Sequence, residues 1–125
     1  MWSRQRPPKP RRCLDERLER AERRLARGRL DAAVRQLLEL AAEAQGDPAR
    51  LNRIGDCLVR AGCLQPGLAL FERVGQAWAE EGFWAKAIAV YRKILRHDPW
   101  RSDVETALAF LYQRSGLPTG AGVKP

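Results

Sequence analysis

Apolar side chains recur along this chain every three or four residues, in six stretches separated by glycine- or proline-marked breaks. That interval places them on one face of an α-helix. The first stretch, about 14–27, aligns Leu14, Leu18, Ala21 and Leu25 among arginines and glutamates, and Gly28-Arg29 turns the chain. The second, about 30–44, directs Val34, Leu37, Leu38 and Ala41 inward. Gly46-Asp47-Pro48 then punctuates: glycine suits a left-handed helix end, aspartate an N-cap and proline a first helical turn. A third helix, about 48–61, offers Leu51, Ile54, Gly55 and Leu58, and stops at Gly62. The fourth, about 65–81, carries Leu68, Phe71, Val74, Gly75 and Trp78 up to Gly82. The fifth, about 83–97, holds Ala87, Ile88, Tyr91, Ile94 and Leu95, and Asp98-Pro99 repeats the aspartate–proline device. The sixth, about 100–115, has Val104, Leu108, Leu111 and Tyr112 and ends at Gly116. Six helices with such short connections pack as antiparallel neighbours.

Composition agrees. Ala, Leu, Arg and Glu, all good helix formers, dominate, and Val, Ile and Thr are sparse. A chain of 125 residues has room for one domain with a proper apolar interior. Pro7, Pro8 and Pro10 among five basic side chains predict a flexible or polyproline-like tail over 1–13, ahead of a helical domain over 14–116 and a flexible tail over 117–125.

Charge adds a second feature. Of the net +8, residues 1–30 hold +7 and residues 31–125 only +1. A tail bearing Arg4, Arg6, Lys9, Arg11 and Arg12 suits nucleic acid, an anionic membrane or an acidic protein, or serves as a solubilising extension. Against the first use, Asp15, Glu16, Glu19 and Glu22 interleave with the arginines at a spacing that favours intrahelical pairs. Cys13, Cys57 and Cys63 match no zinc or redox spacing, and they read as small, partly buried thiols of a reducing compartment. No apolar run reaches the length of a membrane span, and Arg11-Arg12 lacks the apolar stretch a twin-arginine signal needs, so a cytoplasmic location is expected.

The stretches also repeat. Gly28 and Gly62 lie 34 residues apart, as do Gly82 and Gly116. From Leu68 to Arg101, Phe71, Val74, Gly75 and Trp78 are followed by Gly82, Ala87, Tyr91, Ile94 and Pro99. This stretch resembles one whole repeat of the tetratricopeptide family. Phe71 stands where that family usually has Trp and Ile94 where it has Ala, with the apolar role kept. A second match begins at Pro48, with Leu51, Ile54, Gly55, Leu58, Gly62, Gly67, Phe71 and Val74, and has Ala79 in place of the exit proline. A weaker match begins near Leu14, with Ala21, Ala33, Leu37 and Leu40, but puts Arg17, Arg20 and Arg24 at apolar positions; 102–116 looks like a final first helix. One frame starts at 14 and 48, the other at 68 and 102. The fourth helix is claimed by both, as a shared helix or a local shift in stacking.

The resemblance implies an all-α right-handed stack of helix pairs whose first helices line an inner, partner-holding surface. Carried onto this chain, that surface presents Asn52, Asp56, Arg60, Phe110 and Gln113, with Glu72 and Gln76 if the fourth helix opens a repeat. The family's carboxylate clamp of Lys, Arg and Asn has no full counterpart: Asn52 and Arg53 stand alone, and Glu72 has the wrong sign. Phe110 and Trp100 are expected to face outward from the sixth helix, as a surface for a partner or for self-association. No catalytic, cofactor or metal constellation is read: the one histidine, His97, falls in a helix's last turn, where its charge suits the helix dipole. The expected function is a non-enzymatic scaffold that holds a peptide or helix of another protein. The alternative is binding of nucleic acid or an anionic surface through the Arg-rich N-terminal segment.

Overall fold

The computed structural model describes residues 11–117, with side chains from residue 13 onward. The two expected tails fall mostly outside these residues. Six helices follow one another: α1 (Arg11–Ala26), α2 (Leu30–Glu43), α3 (Pro48–Arg60), α4 (Leu64–Glu80), α5 (Trp84–His97) and α6 (Ser102–Ser115). No strand occurs among the described residues, and the fold class is all-α. None of these helices is long and apolar enough to cross a membrane.

The ends of the elements follow local chemistry with three departures from expectation. α1 begins at Arg11 rather than near Leu14. Nothing in Arg11-Arg12-Cys13 opposes a helix once the last proline is passed. Asp47 caps α3 as expected, its carboxylate accepting the Arg50 N–H at 3.2 Å with Pro48 in the first turn. Asp98 does not cap α6. It closes α5 and accepts the Trp100 N–H at 3.4 Å, which leaves Pro99 and Trp100 in a turn and Arg101 at the α6 N-cap. Left-handed backbone occurs at Gly28, Gly62, Gly82 and Gly116 but not at Gly46, where the chain leaves α2 through a turn closed by the Asp47 N–H donating to the Ala44 carbonyl at 2.9 Å.

Each helix packs on its successor, and α1 also touches α3. One continuous apolar core runs from Leu18 in α1 to Leu111 in α6. Leu38 is the exception to the expected inward set: it is 47% exposed, because Ala33, Leu37, Leu40 and Ala44 define the buried side of α2 and residue 38 lies off that line. Of the three arginines that fall at apolar positions of α1, Arg17 and Arg24 are used at its seam with α2, and Arg20 is exposed. Arg17 forks onto Glu43 (2.8 and 2.6 Å) and Arg24 donates to Gln36 at 2.8 Å, which also shows the two helices to be antiparallel.

Two crossings set the middle of the fold. A Cβ added to Gly55 of α3 would lie 2.5 Å from Phe71 Cε1 of α4, with the Gly67 carbonyl oxygen 3.3 Å away. One added to Gly75 of α4 would lie 2.8 Å from Tyr91 Cζ of α5. The two sites are 20 residues apart and have the same form: a glycine on one helix seats an aromatic ring from the next. α4 thus offers Phe71 to α3 and receives Tyr91 from α5.

Candidate interaction surfaces

Polar side chains tie the odd-numbered helices together. Arg50 of α3 forks onto Asp15 of α1 (2.8 and 2.7 Å) and also bonds Asp47, while Arg53 pairs with Glu22 of α1 at 2.6 Å. The Arg53 guanidinium holds the Glu22 carboxyl below the usual carboxylate range. Asp15 and Glu22, expected in pairs within their own helix, thus reach across to α3. Lys93 of α5 donates to Asn52 (2.7 Å) and Asp56 (2.9 Å) of α3 and sits 4.3 Å from the centre of the Phe71 ring.

These contacts occupy much of the surface expected to hold a partner. Asn52 and Asp56 are brought together, but around Lys93. Arg60 is exposed and its Nη2 lies 3.2 Å from the Cys57 sulfur. Cys57 itself is fully buried, and burial pushes its thiol pKa up. Glu72 pairs with Arg101, which also bonds Asp103 at 2.7 Å and draws that carboxyl down to about 2. The Asn52, Asp56 and Lys93 connection required knowing that α3 and α5 both pack on α4, so that Lys93 reaches past Phe71 to α3, a relation with no sequence period of its own.

Gln76 is exposed on another side of α4. With Gln45, Leu51, Arg73, Val74 and Glu80 it lines a shallow cavity of about 220 Å³ where the end of α2 and the start of α3 meet α4. The floor is apolar and the rim mixed in charge.

At the far end, Trp100 is 90% and Phe110 55% exposed, as the crowding of apolar residues on α6 predicts. Leu117 is exposed too, Gln113 and Ala109 lie on the open side, and the Arg114 guanidinium stands 5.5 Å from the Phe110 ring centre. Leu117 does not close over this side. Trp100 belongs to the turn before α6 and Phe110 to its third turn, so they are separate exposures. Of the basic tail, Arg4, Arg6 and Lys9 lie outside the described residues. Arg11 and Arg12 open α1 with side chains also outside them. Among the described residues no group of three His, Cys, Asp or Glu is placed to hold a metal ion.

No known protein-family model matches the chain, and no curated protein matches it.

Proposed function

We propose that this chain is a non-catalytic, cytoplasmic protein-binding module of the tetratricopeptide kind, and that the open side of α6 receives a helix of its partner. One observation carries the reading, the state of residue 109. At Gly55 and Gly75 the small position is covered by Phe71 and Tyr91 of the following helix. Ala109 lies 34 residues beyond Gly75 and is exposed, beside Phe110, Gln113 and Leu117. Single exposed apolar residues are ordinary. Here the exposure coincides with the position that twice elsewhere seats an aromatic ring. An amphipathic helix bringing a bulky side chain over Ala109, with apolar neighbours for Phe110 and Leu117, would complete a third crossing of the same form. The internal pairing of Asn52, Asp56 and Glu72 supports α6 over the α3 surface as the contact.

Photo-crosslinking in cells tests this. A photoreactive amino acid replaces Phe110, or Leu38 as an equally exposed apolar control on α2. We expect a discrete protein adduct from position 110 that is missing from position 38 and is suppressed by Ala109→Trp, which fills the seat. An adduct at twice the mass of the chain would identify a second copy as the partner. No adduct from position 110, or the same adducts from both positions, would refute the reading.

A further inference from the structure

The hairpin of α1 and α2 carries a second surface that owes nothing to α6. Arg17, Arg24, Arg29, Arg35, Gln36 and Glu39 line an open cleft of about 360 Å³ between the two helices. Its four arginines are not equivalent. Arg17 is neutralised by the fork onto Glu43. Arg24 donates to the Gln36 side-chain oxygen, a neutral acceptor that aims the guanidinium without cancelling its charge. Arg29 and Arg35 are exposed and form no ion pair among the described residues. Glu39 is the one carboxylate in the lining, so positive charge is left over.

The surplus continues onto the flank of α1. Arg20, Arg23 and Arg27 are exposed there and likewise have no ion pair among the described residues. Glu22, the acid in their midst, is committed to Arg53. Six guanidinium groups that form no ion pair among the described residues therefore cover this end of the hairpin, against Glu19, Asp31 and Glu39, nearby carboxylates that form none there either, so the local surplus is three positive charges. Arg29 immediately precedes α2 without a side-chain cap, so first-turn N–H groups add to the field, partly offset by Asp31.

We infer that this cleft and its flank bind the phosphate backbone of a nucleic-acid duplex. Guanidinium forks match phosphate oxygens two at a time, and their charge persists at every physiological pH. Arg20 to Arg27 extend about 10 Å along α1, and a duplex presents one negative charge about every 1.7 Å of its axis. The strip thus faces several phosphates at once, more than the single group of a phosphorylated side chain. No aromatic residue lines the cleft, so it offers no platform for unstacked bases, and contact is with backbone rather than sequence. Leu30 and Leu38 are the large apolar side chains exposed on this hairpin among the described residues, too few to insert into a membrane.

Fluorescence anisotropy of a labelled random-sequence DNA duplex, titrated with the full chain between about 50 and 200 mM salt, tests the inference. We expect affinity to fall with a log–log slope near −3, from about three phosphate contacts. Arg29→Gln/Arg35→Gln should weaken binding roughly tenfold at the low-salt end and make the slope shallower by about 2, with an unchanged thermal midpoint because neither side chain has a partner among the described residues. Arg4→Gln/Arg6→Gln/Lys9→Gln, which strips the tail alone, should weaken it less. The inference is overturned by the absence of duplex binding at low salt, or by a cleft variant that binds like the wild type while the tail variant loses binding. It also fails where a phosphoserine peptide or phosphatidylserine vesicles are bound in preference to the duplex.

Discussion

Replacing Gly55 by alanine adds a single methyl group at the tightest crossing in the fold. The new Cβ would stand 2.5 Å from Phe71 Cε1 and 2.9 Å from Cδ1, well inside contact distance, with the Gly67 carbonyl oxygen 3.3 Å away. Phe71 has no exposed surface, so its ring cannot swing aside without opening the interior shared by α3, α4 and α5. Overpacking of this kind costs about 1–3 kcal/mol. Against it, Ala is favoured over Gly in a helix interior by about 0.8–1 kcal/mol. The clash prevails, and a net loss of about 1 kcal/mol is expected, a fall in thermal midpoint of about 4 °C for a domain of this size. Thermal unfolding followed by circular dichroism reads it. Phe71→Leu loses packing of its own, but it removes the obstructing ring, so Gly55→Ala should cost much less in that background. At Gly75 the same change is milder, because the added methyl meets the phenol end of Tyr91, whose residue keeps 8% of its surface exposed and can tilt. A Gly55→Ala midpoint equal to or above the wild type, or a cost unchanged by Phe71→Leu, would refute the crossing.

Lys93→Ala removes the two bonds to Asn52 and Asp56 and the cation over Phe71, and should destabilise by about 1–2 kcal/mol in chemical denaturation. Acid should destabilise the fold through Glu22, whose folded pKa lies below its ordinary value near 4.3. The stabilisation from the Arg53 pair is complete above that ordinary value and is lost as pH falls through the lower folded one. Glu22→Gln should therefore flatten the fall in thermal midpoint between about pH 5 and pH 3. An equal fall in wild type and variant would show that the pair contributes nothing.

The six helices were legible along the chain because each is set by local terms: an apolar period of three and four, a glycine able to reverse the backbone at Gly28, Gly62, Gly82 and Gly116, and the Asp47-Pro48 start. The close crossing at Gly75 was legible as well, since a small residue at a helix contact leaves its mark in sequence. The outward exposure of Phe110 and Trp100 followed from an excess of apolar residues over what one packed face can take. Tertiary structure alone decided the fate of the polar residues. An arginine on a helix has the same spacing whether it meets water, its own helix or a neighbour. Only the fold brings Arg50 to Asp15, Lys93 to Asn52 and Arg101 to Glu72, each more than 25 residues away. For the same reason sequence assigned the basic excess to the N-terminal segment as a whole. Folding divides it, neutralising Arg17 with Glu43 and leaving Arg24, Arg29 and Arg35 around one cleft, because charge is additive along a chain but ion pairing depends on which helix faces come together.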